Sequence, residues 1–379
     1  MTESIINPNH STFPQNKNDA LLEPMFLGQP VNIARYDQQK YTLLEKAIEK
    51  QLSFFWRPDE VDVTRDRADY ASLPEHEKHI FISNLQYQTL LDSVQGRAPN
   101  LALLPIASIP ELETWIETWS FSETIHSRSY THIIRNIVNM PEEIFNEIMD
   151  KQPILDRAVS VTQEYDKLIV QNATFMALGD EAASKIYTEA QRRDQIIKTI
   201  IAVMALEGVR FYVSFACTFA FVELGKMEGN GKIMKLIARD ENIHCHVTIE
   251  MLKIWRSGRE GAEWQKSYQD NVEYLKDTLR KVGEQEMNWA DYLFQGGSLI
   301  GLNAAILKQY VKWRVNTMSR RLGLGYIYPE VTSDPLTWMN NYLLSDHVQE
   351  APQEVEKSSY LIGQINSDVN LDAFQDFDY

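Results

Sequence analysis

Two Glu-x-x-His motifs, at positions 123–126 and 241–244, constrain the fold of this chain more than any other feature. Each lies in an apolar stretch with helical periodicity, and residues three apart on a helix are neighbours with Cβ atoms roughly 5–6 Å apart. One motif can therefore hold one metal ion, and two facing motifs can hold two. The spacing alone is weak evidence, because so short a pattern also arises by chance in a chain of 379 residues.

The residues around both motifs continue the same helical faces. Three- and four-residue steps connect the first motif to Trp115, Trp119, Ser122, Tyr130 and Ile133, and the second to Ile233, Ile237 and Thr248. Glu123 and His126, like Glu241 and His244, thus lie in the middle of an apolar stripe. Charged groups in that position are costly to bury unless something compensates them.

Two further acids, Asp92 and Glu207, occupy comparable positions. Asp92 shares a helical face with Phe81, Leu85 and Gln88. Glu207 lies in a helix predicted over 195–224 that is apolar around most of its circumference, which is typical of a central buried helix. We expect no membrane span here, because Lys198, Glu207 and Arg210 interrupt the segment and no apolar run of about 18 residues is apparent.

Four buried carboxylates and two imidazoles are untenable together without compensating positive charge. Two divalent cations would balance the four acids, and the oxygen and nitrogen ligand set without a thiolate favours iron or manganese. Two alternatives remain open at this point. Glu207 could pair with Arg210, and Asp92 could bond to the backbone near the helix end before Gly96.

Tyr130 lies four residues after His126, one turn further along the same face. A phenol beside an oxygen-activating metal pair can lose one electron and its proton. We expect Phe211, Phe215 and Ile237 to form the dry walls that a persistent radical needs. The alternative is a core tyrosine whose hydroxyl finds a local hydrogen-bond partner.

The sequence resembles the small, radical-generating (beta) subunit of class Ia aerobic ribonucleotide reductases over nearly its whole length. The most specific stretches are QLSFFWRP at 51–58, SETIHSRSY at 122–130, RFYVSF at 210–215 and ARDENIH at 238–244. The resemblance implies a ferritin-like helical bundle whose oxygen-bridged di-iron centre reacts with O2 to form a stable tyrosyl radical. The large (alpha) subunit would use that radical to reduce ribonucleoside diphosphates to deoxyribonucleotides.

The resemblance also assigns roles to individual residues. One iron would be bound by Asp92, Glu123 and His126, the other by Glu207, Glu241 and His244, with Glu123 and Glu241 bridging in some states. Tyr130 would carry the radical. Trp56 and Asp240 match a hydrogen-bonded path that we expect to run from His244 towards the surface, and Tyr360 matches the tail tyrosine that relays the radical to the large subunit.

Helical patterns cover most of the chain, and no convincing strand alternation is present. We predict helices over 36–56, 74–97, 108–137, 153–178, 190–225, 229–256, 262–286 and 301–320. No β-hairpin is expected between 178 and 192, although some relatives insert one there. These patterns predict an all-α fold with an extended N-terminal arm at 1–30, one helical domain at 31–345 and a flexible acidic tail at 346–379 that binds the large subunit.

The net charge of −16 argues against a nucleic-acid-binding face and against attachment to anionic membranes. Cys217 and Cys245 lie in helical core patterns and are expected to be reduced, which indicates a cytoplasmic protein. The resemblance further implies a homodimer. Two other classes stay open: a di-iron oxygenase or desaturase with the same bundle fold, and an iron store or oxidase of the ferritin type.

Overall fold

The computed structural model describes residues 10–343, and within them the secondary structure is helical, with only two isolated β-bridges. The helices are α1 (Thr42–Ser53), α2 (Thr64–Ser72), α3 (Glu75–Gln95), α4 (Ala98–Ala102), α5 (Pro110–Ile137), α6 (Pro141–Asn146), α7 (Gln152–Leu178), α8 (Asp180–Ala183), α9 (Glu189–Ala205), α10 (Phe211–Glu223), α11 (Glu228–Ser257), α12 (Ala262–Asp270), α13 (Val272–Leu293), α14 (Ala304–Arg321) and α15 (Asn340–Leu343). The all-α expectation is therefore confirmed. The predicted tail at 346–379, including Tyr360, lies outside the described residues.

The long helices form the bundle that surrounds the candidate site. α5 packs against α3 and α1, while α11 packs against α9, α10 and α5. α7 covers α3 and α9, and the antiparallel pair α13 and α14 closes another side. The four predicted acids come from four different segments of this bundle, so tertiary packing decides whether they meet.

The central helix is interrupted by a π turn at Leu206–Arg210, between α9 and α10. The continuous segment Glu189–Glu223 is long and apolar enough to cross a membrane by length and composition, although Lys198, Glu207 and Arg210 interrupt it as expected. Its most apolar window is entirely buried inside the bundle. A helix that is apolar around its whole circumference is expected to be buried in the core in this way.

Six of the eight predicted helices begin and end within three residues of the observed bounds, and two do not. The helix predicted from 36 begins at Thr42, because the Glu111 carboxylate accepts hydrogen bonds from the Lys40 and Tyr41 amides and holds them outside the helix. The helix predicted over 262–286 breaks at Asn271, whose side-chain amide donates to Ser267 O and to Asp194.

The prediction also missed several short helices, of which α2 has a structural role. Its sequence is mostly polar and carries little apolar periodicity. Asp66 is nevertheless buried there, and its carboxylate accepts the Gly229 and Asn230 amides at the start of α11. A carboxylate at a helix N-terminus satisfies free amides and interacts favourably with the helix dipole.

Residues 10–30 contain no long helix. Met25 and Phe26 are fully buried in the main core, and Phe26 forms an isolated bridge with Ala107. The boundary of the arm at residue 30 remains a prediction.

A buried charge cluster connects α7, the π turn and α13. Glu286 accepts hydrogen bonds from Arg157 Nε at 2.9 Å and from Arg210 Nη1 at 2.8 Å, and all three side chains are buried. The Arg157 guanidinium also stacks on the Tyr87 ring, 3.2 Å from its centroid. Arg210 therefore pairs with Glu286 rather than with Glu207, which excludes one alternative interpretation of Glu207.

The substitution Glu286→Gln is expected to destabilise the fold by about 3–5 kcal/mol, because it leaves two buried guanidinium groups without a counter-charge. Denaturant unfolding of the metal-free protein measures this loss. The matched control is Glu284→Gln, at an exposed position two residues earlier, with an expected change within about 0.5 kcal/mol. Equal stability of the two variants would contradict the prediction.

Candidate metal centre

Four segments of the bundle bring the six predicted ligands into one buried site. α3 supplies Asp92, α5 supplies one Glu-x-x-His pair, the π turn supplies Glu207 and α11 supplies the other pair. All six side chains have no solvent exposure. Three-residue spacing on α5 and α11 aims the carboxylate and imidazole of each pair at the same point.

The ligand atoms form two overlapping groups. One group contains Asp92, Glu123, His126 and Glu241, and the other contains Glu123, Glu207, Glu241 and His244. Within each group the candidate ligand atoms lie within 4.8 Å of one another. Because Glu123 and Glu241 belong to both groups, the geometry suits two metal ions side by side with these two carboxylates between them.

Both imidazoles present Nδ1 to the inside of the site and Nε2 to the outside. His126 Nδ1 lies 3.2 Å from Glu123 and 3.1 Å from Glu241, and His244 Nδ1 lies 3.1 Å from Glu123. On the outside, His126 Nε2 is 3.1 Å from Asp240 Oδ2 and His244 Nε2 is 3.2 Å from Gln51 Oε1. Acceptors at Nε2 favour the tautomer that leaves the Nδ1 lone pair free for a metal ion.

Several carboxylate oxygens in the site have no hydrogen-bond partner among residues 10–343. These include both oxygens of Asp92 and Oε1 of Glu207, while Thr248 donates to Glu207 Oε2 at 3.3 Å. The Asp92 carboxylate therefore does not bond to the backbone; only its main-chain oxygen accepts the Gly96 amide. Unpartnered buried carboxylate oxygens are rare and costly, and divalent cations would satisfy them, so the residues fit a metal pair.

The protonation states of the metal-free site follow from burial and from the neighbouring charges. Burial raises the pKa of Asp92 and of Glu207 well above their usual values, and the surrounding carboxylates add to the effect. Burial opposes the charged imidazoles, but hydrogen bonds with carboxylates outweigh it, raising the pKa of His126 and bringing that of His244 to about 10. Burial would also raise the pKa of Glu123, yet its bonds to both imidazoles lower it to about 2.

Metal affinity is therefore expected to rise with pH. Asp92, Glu207, His126 and His244 have raised pKa values, so they keep their protons to a higher pH than usual, and a metal ion must displace those protons. Each proton released makes the affinity about tenfold stronger per pH unit. Calorimetric Mn²⁺ titration of the metal-free protein between about pH 6 and pH 8 measures the slope, and an affinity that does not change over that range would contradict the prediction.

Tyr130 lies one turn beyond His126 and is fully buried. Its hydroxyl has no well-formed hydrogen bond within the described residues, but it interacts with the Asp92 carboxylate, so the alternative of a locally partnered core tyrosine stays open. Burial, followed by the charge of nearby Asp92, raises the pKa of Tyr130 well above its usual value. Phe211, Phe215 and Ile237 are buried in the same core, but their role as walls of a radical pocket stays a prediction.

Trp56 and Asp240 form a hydrogen-bonded path to the site, but it ends at a different histidine from the one we expected. Trp56 Nε1 donates to Asp240 Oδ2 at 3.0 Å, and the same oxygen lies 3.1 Å from His126 Nε2. The expected origin at His244 was wrong. Four-residue spacing puts Asp240 near His244 along α11. The Asp240 carboxylate nevertheless bonds to His126 of α5, and His244 Nε2 bonds to Gln51 of α1 instead.

Two residues that contact the ligands were not assigned a role from sequence. Gln51 accepts from His244 and donates to Ser122 Oγ at 3.0 Å, and Trp119 Nε1 donates to Glu123 Oε1 at 2.9 Å. Trp119 could have been found, because it precedes Glu123 by one turn on the ligand face. For Gln51 the only indication of a role was that it begins the stretch 51–58, one of those that carry the family resemblance.

An all-helical bundle that brings two Glu-x-x-His pairs and two further acids together defines the class of buried dinuclear carboxylate–histidine proteins. The profile of the family "Ribonucleotide reductase, small chain" matches residues 34–335. The chain belongs to this family.

Known proteins agree with this assignment. The beta subunit of ribonucleoside-diphosphate reductase 1 from Escherichia coli O157:H7 is 55% identical over 373 residues, covering 97% of this chain and 99% of that protein. The R2 subunit structure from Clostridium botulinum has a TM-score of 0.74 at 23% identity and covers 88% of this chain and 98% of that one. The dimanganese(II) NrdF structure from Streptococcus sanguinis has a TM-score of 0.67 at 20% identity, with coverages of 83% and 99%.

The chain is accordingly the small subunit of a ribonucleoside-diphosphate reductase, an oxidoreductase that works with a large subunit. The two structural neighbours are both below 25% identity, so they support the fold alone.

Proposed function

We propose that this small subunit holds two iron ions in the buried site, reacts with O2 and stores the resulting oxidising equivalent as a tyrosyl radical at Tyr130. The large subunit then draws on that radical to reduce ribonucleotides. The observation that carries the proposal is the pair of ligand groups sharing Glu123 and Glu241, with Tyr130 one turn away on α5.

In the proposed arrangement Asp92, Glu123 and His126 hold one ion, and Glu207, Glu241 and His244 hold the other. When bound, the two ions supply the redox chemistry with O2 that oxidises a neighbouring phenol by one electron. Iron is the proposed metal on the basis of the family resemblance. Manganese is the alternative, since the Streptococcus sanguinis neighbour is a dimanganese protein.

Tyr130 would lose one electron and its phenolic proton together. At rest its raised pKa keeps the phenol protonated, because a phenolate in this dry site would lack solvation. The Asp92 carboxylate is the charged group with the largest effect on Tyr130, so it is the proposed partner of the phenolic proton. Exclusion of water by Phe211, Phe215 and Ile237 would then protect the radical.

The oxidising equivalent would leave along the path through His126, Asp240 and Trp56. Asp240 accepts hydrogen bonds from both neighbours through one oxygen, which allows a proton to move together with an electron. From Trp56 the proposed route continues through Tyr360 in the acidic tail at 346–379, which would bind the large subunit. The proposal also includes that the protein forms a homodimer and is located in the cytoplasm.

The test is to load metal-free protein anaerobically with ferrous iron, admit air and record low-temperature electron paramagnetic resonance spectra. We expect two irons per chain and an organic radical signal. Two bound irons without any radical would contradict the tyrosyl-radical proposal and favour an oxygenase or desaturase, or a manganese cofactor. An oxygenase or desaturase would keep its activity when residues 346–379 are removed, whereas a reductase subunit would lose it.

A further inference from the structure

The segment that carries Glu207 is wound as a π turn at Leu206–Arg210, inside an otherwise α-helical segment. Hydrogen bonds in a π turn span five residues instead of four, and such turns are rare and frequently found at functional sites. The shift of register also leaves main-chain carbonyls short of their usual N–H partners. Contacts from neighbouring helices must therefore stabilise this turn.

Arg314 of α14 makes the most direct of these contacts. Its Nε and Nη2 both donate to the Gly208 carbonyl oxygen, at 3.1 and 2.9 Å. The guanidinium is buried and stacks on the Tyr212 ring at 3.4 Å, and the Asp334 carboxylate lies near enough to interact with its charge. A buried cation is costly without hydrogen bonds, so its charge is accommodated by the Gly208 carbonyl, by the Tyr212 ring and by the more distant Asp334 carboxylate.

Gly208 allows α14 to come this close. A Cβ at this position would lie 2.3 Å from Met318 Sδ and 3.2 Å from Cys245 Sγ. A side chain here would force Met318 to move, either by a change of its flexible side chain or by a shift of α14 away from the π turn. The absence of a side chain at Gly208 and the hydrogen bonds from Arg314 thus act together to fix the main chain directly after Glu207.

The Glu207 side chain itself is held only weakly. Thr248 donates to Oε2 at 3.3 Å, and Oε1 has no partner in the described part of the chain. The position of this carboxylate is consequently set mainly by its backbone. On the other side of Arg314, the Tyr212 hydroxyl donates to Asn242, which directly follows Glu241.

We infer that Arg314 is a positioning residue for the metal centre: by holding the Gly208 carbonyl it fixes the π turn and places Glu207 for metal binding. This inference rests on the proposed ligand role of Glu207. Arg314 contacts neither the metal ligands nor Tyr130 directly, so its effect reaches the site through the main chain at 207–208.

The experiment compares Mn²⁺ binding to metal-free wild type, Arg314→Gln, Arg314→Lys and Val311→Ala by calorimetry. Val311→Ala is the matched control, because it truncates a buried residue of the same helix that makes no hydrogen bond to the π turn. In Arg314→Gln we expect one of the two ions to bind about 10- to 100-fold more weakly, with the other unchanged. Arg314→Lys keeps the charge but not the two bonds that converge on the Gly208 carbonyl oxygen, and its loss should be smaller.

Hydrogen exchange of the metal-free proteins gives a second readout that does not depend on metal. The amides of 206–211 should exchange faster in Arg314→Gln than in wild type, and this local effect should be absent in Val311→Ala. The inference would be overturned if Arg314→Gln bound both ions as tightly as wild type and its amides exchanged at unchanged rates. It would also be overturned if the affinity for both ions fell equally. If the wild type itself binds no pair of ions, the failure lies with the proposed function instead.

Discussion

Tyr130→Phe is expected to abolish both the organic radical and turnover with the large subunit, while two metal ions still bind. The variant lacks only the phenolic oxygen, so no residue remains in that place that can release an electron and a proton together. The Tyr130 hydroxyl is buried without a well-formed hydrogen bond, so its removal should change the stability of the fold by no more than about 1 kcal/mol. Electron paramagnetic resonance, metal analysis and a turnover assay with added large subunit measure the three quantities.

Tyr165→Phe provides the matched control. Tyr165 of α7 is also buried, and its hydroxyl also makes no hydrogen bond within residues 10–343. This control should retain the radical and full turnover, because Tyr165, although near enough to interact with Glu207 and Glu123, is neither a proposed metal ligand nor part of the proposed path. A radical of unchanged intensity in Tyr130→Phe would show that the radical is located on another residue.

The second large effect is expected from Asp240→Asn, which should retain the Tyr130 radical yet lower turnover by about 10- to 100-fold. The substitution preserves the size of the side chain but removes the negative charge to which both Trp56 Nε1 and His126 Nε2 are bonded. The path then lacks the Asp240 carboxylate, the group between Trp56 and His126 that would accept a proton. Turnover divided by the radical content of each sample is the quantity to compare.

Trp56→Phe and Tyr360→Phe should give the same signature of a preserved radical with lost turnover. Trp289→Phe is the control for the first of these, because Trp289 is a buried tryptophan whose indole N–H bonds to Asn84 away from the path. Normal turnover in Asp240→Asn and Trp56→Phe would exclude this route. Normal turnover in Tyr360→Phe alone would exclude only the proposed relay in the tail.

The predicted ligands illustrate how far local patterns reach. Three-residue spacing puts Glu123 beside His126, and Glu241 beside His244, on any regular helix, so each pair follows from sequence. Burial of Asp92 and Glu207 was also predictable, because both interrupt apolar faces. That these groups meet at one place, with Glu123 and Glu241 shared between two ions, depends on the packing of α3, α5, the π turn and α11.

Local sequence patterns did not predict the hydrogen-bonded path through Asp240 or the π turn. Spacing along α11 favoured a link between Asp240 and His244, but the carboxylate bonds to His126 on another helix. Nothing in the local sequence predicts the five-residue hydrogen bonds at Leu206–Arg210, because the bonds to Gly208 come from Arg314, which is more than 100 residues away.

The sequence by itself determined the all-helical class, the bounds of most long helices, the two ligand pairs and, through its resemblance, the family. These properties depend on helical periodicity and short motifs, which act over a few residues. Only the tertiary structure decided which histidine Asp240 contacts, where Arg210 and Arg314 bond, and how two carboxylates come to be shared. Such contacts join side chains that are distant in sequence, and their geometry is set by how whole helices pack against one another.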